Sequence, residues 1–240
     1  MLVAAAVCPC PPLLVPEVAA GAAPELDAAR AACTDALGVL AAARPDRLVI
    51  VGPAAESEHG VYPEGARGSF RGFGVDLDVR LGGPGDAGGD PGPRRLPSSL
   101  AVAAWLLERT GWSDAPIEGL GVRETLATER CLAAGKEIAA RAGRVALLVM
   151  GDGSACRTLK APGYLDERAA PFDGQVARAL ASADAAALEA LDAGAARELM
   201  VSGRAPWQVL AGAAEGAGLS GALLFEDAPY GVGYLVAAWS

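Results

Sequence analysis

"VALLVMGDGSACR", residues 145–157, decides the fold class. Six apolar residues run together over Val145–Met150 without polar alternation, so the segment reads as a strand covered on both faces. It ends in Gly151-Asp152-Gly153-Ser154, a loop at the carboxyl end of a buried strand, where α/β proteins collect binding and catalytic groups. Two other stretches repeat the pattern. Leu2–Val7 is stopped by Pro9, Pro11 and Pro12, and Arg47–Val51 is closed by Gly52-Pro53. Between them Pro24 opens a helix in which Leu26, Ala29, Cys33, Leu37 and Leu40 recur at helical spacing as far as Arg44.

Further elements follow outward from these three strands. Ser98 or Ser99 caps a helix through Leu106 to Arg109. Ile117–Val122 reads as a strand and Thr125–Arg141 as a helix. Beyond a loop at Pro162-Gly163-Tyr164, helices are expected near Phe172–Ala181, Ala185–Leu191, Ala195–Val201 and Trp207–Ala217. Ala222–Phe225 and Tyr234–Ala238 read as closing strands. Ala54–Gly74 is polar and loop-like, and Val75–Leu81 alternates apolar with charged residues, as a half-exposed strand near a sheet edge does. Residues 82–97 are the most Gly/Pro-rich and read as a flexible loop inside one domain. Strands alternating with helices predict an α/β fold: a single domain over 1–240 with a central mixed sheet flanked by helices.

The chain has 240 residues, of which 52% are hydrophobic and 20% charged, enough apolar surface to bury a sizeable core. A net charge of −9 disfavours nucleic acid and anionic membrane as partners and leaves a neutral or cationic small molecule, or another protein. No apolar run is long enough to span a bilayer, and no basic residue precedes Leu2–Val7, so a cytoplasmic location is expected. Five cysteines in so long a chain are not a disulfide framework and read as reduced thiols. The Ala- and Arg-rich usage is that of a high-GC bacterial genome.

Chemistry is therefore sought in Cys8–Pro12, Gly52–His59, Gly151–Arg157 and the turn Glu226–Tyr230. In an extended CPCPP loop Cys8 and Cys10 share a face, which suits a soft metal such as zinc or copper(I), although buried cysteines more often serve as small hydrophobes. Cys33 and Cys131 sit at core-like helical spacing and complete no four-cysteine zinc pattern. Glu56, Glu58 and the only histidine, His59, make either an acid/base pair, metal ligands or a solvated loop. Gly151–Arg157 lacks the ending of a phosphate loop and the Gly-x-Ser-x-Gly of a nucleophile elbow.

Taken together, "PPLLVPEV" (11–18), "GDGSACRTLKAPGYLDERAAPFD" (151–173) and "YGVGYLVA" (230–237) resemble the LigB-like superfamily of class III extradiol ring-cleavage dioxygenases and their Memo relatives. That family shows a His-Pro-Pro opening, a Pro-His motif after the second strand and a Gly-Asp-x-Ser-His segment, and the landmarks fall here in the same order. The resemblance implies a single α/β domain holding Fe(II) with two histidines and a carboxylate, a further histidine as acid/base, and a homodimer. Residue by residue, the first ligand histidine falls on Cys10, the second on Ala54, the acid/base histidine on Ala155, and the carboxylate on Glu226. Alanine neither ligates nor carries a proton, so the usual ring-cleavage mechanism is disabled.

Three outcomes follow. One is a remodelled, zinc-like metal site from Cys10, His59 and Glu226, with Cys8 as an alternative ligand and Cys156 as a further thiol. Another is metal-independent chemistry with Cys10, Cys156 and Asp152 as catalytic candidates. The third is an inactive scaffold or interaction module. The expected pocket lies at the ends of the strands carrying Cys10, Pro53 and Asp152, is lined by Pro53, Ala54, Ser154, Ala155, Tyr164 and Tyr230, and takes a small aromatic or other small molecule. The cofactor is Fe(II) by resemblance, zinc if thiols ligate, or none.

Overall fold

The computed structural model describes residues 1–83 and 94–240. Its strands are β1 (Leu2–Cys8), β2 (Arg47–Ala54), β3 (Gly60–Tyr62), β4 (Arg67–Ser69), β5 (Asp78–Arg80), β6 (Ile117–Arg123), β7 (Val145–Met150), β8 (Gly221–Asp227) and β9 (Tyr234–Trp239). The helices are α1 (Pro16–Ala19), α2 (Asp27–Ala42), α3 (Ser98–Thr110), α4 (Thr128–Ala139), α5 (Ala169–Ala181), α6 (Ala185–Glu189), α7 (Ala193–Glu198) and α8 (Arg204–Ala214). Seven strands form one mixed sheet in the order β3-β6-β2-β7-β1-β9-β8. Its centre, β6-β2-β7-β1, is parallel; β3 runs antiparallel to β6, β9 to β1, and β8 to β9.

The uninterrupted apolar run predicts the central position of β7, all six of whose residues are 0% exposed. Alternate residues supply two cores, as the period of two requires. Ala6, Cys8, Ile50, Leu148 and Met150 face α2 and α3, among Leu37, Leu40 and Leu106. Val7, Val49, Val51, Leu147 and Val149 face the other helical layer, among Ile138, Val176, Trp207 and Leu210. Each fully buried Leu or Ile contributes about 2 kcal/mol by removal from water. The helices after β1 and β2 thus cover one face, and those after β6 and β7 cover the other. Where parallel strands part their connections in this way, a crevice opens at their carboxyl ends.

Several local expectations are corrected. Val75–Leu81 does not extend the main sheet: only Asp78–Arg80 is a strand, paired with β4 in a separate two-stranded hairpin. Its apolar side packs on α3 and the segment before it, where Gly68 lies close to Val79, Ala101 and Leu96. The true edge, β3, lies inside the segment read as loop, because three residues are too few to show a period. Pro24 sits in a 3₁₀ turn, Ala20–Leu26, and α2 starts only at Asp27. Pro97, not a serine, is the N-cap of α3, since the Ser99 hydroxyl donates to the Pro53 carbonyl at 2.7 Å. Of the expected loop 82–97, residues 84–93 lie outside the described residues. Among the described residues no helix is long and apolar enough to cross a membrane.

Candidate functional site

A cleft of 670 Å³ opens at the carboxyl ends of β1, β2 and β6, beside the loop that follows β7 and the amino end of β9. Cys10 and Asp152 line it together. The chain leaves β7 through Gly151, whose N–H donates to the Cys8 carbonyl at 3.0 Å. A Cβ on Gly151 would run into the Cα of Gly203 at the head of α8, so this approach requires glycine. The close approach lets Gly203 N–H donate to the Asp152 carbonyl at 2.9 Å, and Asp152 N–H to the Ser202 hydroxyl at 3.1 Å. With its backbone fixed on both sides, Asp152 accepts the Cys10 N–H on Oδ1 at 2.8 Å. Prolines on either side of Cys10 hold the facing loop rigid, and Pro11, Pro12, Pro53 and Pro97 form an apolar wall.

Burial raises the Asp152 carboxyl to about 7, against the opposing pull of the Cys10 N–H and thiol, with a smaller upward push from Glu124. At neutral pH this group both holds and releases a proton, as a general acid or base must. The Cys10 thiol, 7% exposed, is pushed well above its ordinary value by burial and then by Asp152 and Glu124. Beside carboxylates the thiol form of Cys10 is favoured over the thiolate. The Tyr234 phenol is raised by burial and by the charge of Asp152, and so stays a donor. Around the cleft stand Glu56, Glu58, Glu124 and Arg123, with the Arg123 guanidinium bound to Glu56 at 2.7 Å. Four carboxylates against one guanidinium make the cleft attractive to cations.

The structure brings together Cys10, Asp152, Pro53 and Ala54, and separates them from the other residues singled out in the sequence. Cys156, 2% exposed, lies in the core of the opposite sheet face with its Sγ toward the Leu199 carbonyl. Cys8 is enclosed on the α2 face, where the neighbouring Cys33 thiol and burial raise its own thiol. His59 is exposed and its Nδ1 engages the Glu56 carbonyl at 2.7 Å. Glu226 is exposed on β8, at the outer edge of the sheet. Among the described residues no three His, Cys, Asp or Glu side chains converge as a metal ligand set. The donor set implied by an Fe(II) or zinc site from Cys10, His59 and Glu226 is therefore not assembled, and no chemical step is assigned to a metal.

The pocket lining is corrected likewise. The Ser154 hydroxyl is buried on the Asp173 carboxylate at 2.7 Å, a carboxylate that Arg157 also binds at 2.9 Å. Ala155 is buried beside Leu199, to whose carbonyl its N–H donates. Tyr164 is exposed, with φ 63°, and Tyr230 borders a separate shallow hollow with Leu159 and Leu165. Sequence reasoning missed Tyr234, Ser202, Glu124 and Thr125. Each sits at or just beyond the end of an element, and only the strand order brings those ends to one place.

No family model and no curated protein matches the chain. Among solved structures it is similar to the crystal structure of uncharacterized protein JW3007 from Escherichia coli K12, at 12% identity, with 99% of both chains covered and a TM-score of 0.52. At that identity the likeness concerns the fold alone: an α/β domain with a mixed central sheet flanked by helices.

Proposed function

We propose that the chain is a small-molecule-binding protein on a scaffold of the class III extradiol dioxygenase (LigB-like) type, without ring-cleavage activity. Its ligand is small, carries an ammonium or similar cation, and presents a flat apolar part to the proline wall. The observation that carries this reading is the placing of Asp152, a carboxyl poised near neutrality, in a histidine-free cleft rimmed by three further carboxylates. A cation over Asp152 would favour its ionised form, exchanging a costly buried charge for a paired one. The volume lies in the range of ordinary ligand sites. The order of the three family-like segments supports the dioxygenase-like origin, and the replacements at Cys10, Ala54 and Ala155 support the loss of its iron chemistry.

Benzylamine and catechol serve as probes. Benzylamine is expected to bind more tightly above pH 7 than below it, and Asp152→Asn is expected to weaken it by about tenfold at pH 8 and to remove the pH dependence. Oxygen uptake on catechol by protein supplied with Fe(II) would overturn the reading. A second reading, an interaction module without a small ligand, draws on the exposed Leu159, Tyr164 and Leu165. It would be favoured if benzylamine failed to bind while substitution of those three side chains by serine abolished self-association.

A further inference from the structure

The outward face of the β4–β5 hairpin sets like charges side by side. Arg67 stands directly opposite Arg80 across the antiparallel pair, and Ser69 opposite Asp78. The alternate residues, Gly68 and Val79, are buried, Gly68 close to Ala101 and Leu96 and Val79 in the same core cluster, which turns the arginine side away from the core. Leu96 N–H donates to the Arg67 carbonyl at 2.9 Å and so lays Arg94 and Arg95 alongside. With Arg71, these residues line a hollow of 640 Å³. Five of the chain's 20 Lys and Arg residues thus surround one concavity in a protein of net charge −9.

Two carboxylates, Asp78 and Glu108, share the lining with the five arginines. Asp76 and Asp78 hold Arg71, and Glu108 Oε1 accepts the backbone N–H of Arg80. Arg94 is a clamp, donating to the Glu58 and His59 carbonyls while lying over the Tyr62 ring at 4.6 Å. Among the described residues no ion pair involves Arg67, Arg80 or Arg95. Like charges directly opposite in a strand pair destabilise it, and an anion between them reverses the sign. Guanidinium forks match phosphate oxygens in pairs.

We propose that this hollow is a binding site for a small di- or polyphosphate group, held by Arg67, Arg80 and Arg95 with the Ser69 hydroxyl. It is separate from the acidic cleft, and the two stand or fall independently. A long polyanion is disfavoured, because beyond the hollow it would meet the acidic surface of the molecule.

The test is calorimetric titration of the whole protein with pyrophosphate, beside a short single-stranded oligonucleotide. Pyrophosphate is expected to saturate one site. Combining Arg67→Gln with Arg80→Gln is expected to weaken it about 100-fold, roughly tenfold for each guanidinium removed from the phosphate oxygens. Arg178→Gln, on α5, should leave the affinity unchanged. Without anion the double variant should melt at or above the wild-type temperature, because a repulsion has been removed. Absence of saturable binding, an unchanged affinity in the double variant, or binding of the oligonucleotide alone would overturn the proposal. So would a double variant that melts well below wild type without anion, since the arginines would then serve the fold.

Discussion

The acidic cleft and the arginine hairpin face solvent on the same chain, yet they are built in opposite ways. The cleft is an extension of the core: Asp152 follows the most buried strand, and its position is fixed by the close approach of Gly151 to Gly203 and by hydrogen bonds with Cys10, Ser202 and Gly203. The hairpin is an annexe on α3, with two short strands and side chains facing outward. Groups on rigid elements hold their geometry, whereas charges on a small surface sheet act chiefly through their field. Substitutions should therefore be costly near the cleft and cheap on the hairpin.

The largest contrast is expected between two glycine substitutions. Gly151→Ala forces a methyl group into Gly203 and should cost about 3 kcal/mol in urea unfolding, with loss of benzylamine binding. Gly72→Ala, beside the hairpin, meets nothing within 4 Å and should stay within about 0.5 kcal/mol of wild type. Equal costs would show that the close approach is not required.

Next come two aspartates. Asp173, 1% exposed, accepts Ser154 N–H, Ser154 Oγ and Arg157, so Asp173→Ala strands three donors and should cost about 2 kcal/mol. Asp76 pairs with Arg71 in solvent, and Asp76→Ala should cost less than about 0.5 kcal/mol by the same assay.

A smaller effect separates the two regions by pH. The folded Asp152 carboxyl keeps a proton up to about pH 7, whereas the unfolded chain loses it near 3.8. Between these values the folded state binds more protons, so this group's contribution to stability falls as pH rises and levels off above 7. Asp152→Asn should therefore gain on wild type across that window by about 1 kcal/mol, a value discounted for water reaching the cleft. Thermal melts from pH 4 to 8 check this. A wild type that gains on the variant over the same range would contradict the burial of the carboxyl.

Much of the fold and part of the cleft were legible in the sequence, for identifiable reasons. Unbroken apolar runs marked β1, β2 and β7, and their carboxyl ends or the loops after them carry Cys10, Pro53, Ala54 and Asp152, all of which line the cleft. What failed needed three-dimensional information. Glu226 was matched to the carboxylate ligand that the resemblance implies, but β8 is the outermost strand and its alternation leaves that side chain exposed. Tyr234 reaches the cleft because β9 runs antiparallel to β1, which places its amino end beside the carboxyl end of β1. Cys156 is a local neighbour of Asp152 in sequence, yet its loop turns it under the opposite face of the sheet. The arginine pair is invisible without the register, since Arg67 and Arg80 are joined only by hairpin pairing.

The proposed cation site rests on Asp152 as a titrating carboxyl. It is tested most directly by following the ¹³C resonance of its side-chain carboxyl from pH 4 to 9, with and without benzylamine. The expected result is a midpoint near 7 in the free protein, moving downward as the amine binds. A midpoint near 4 that benzylamine leaves in place would contradict it.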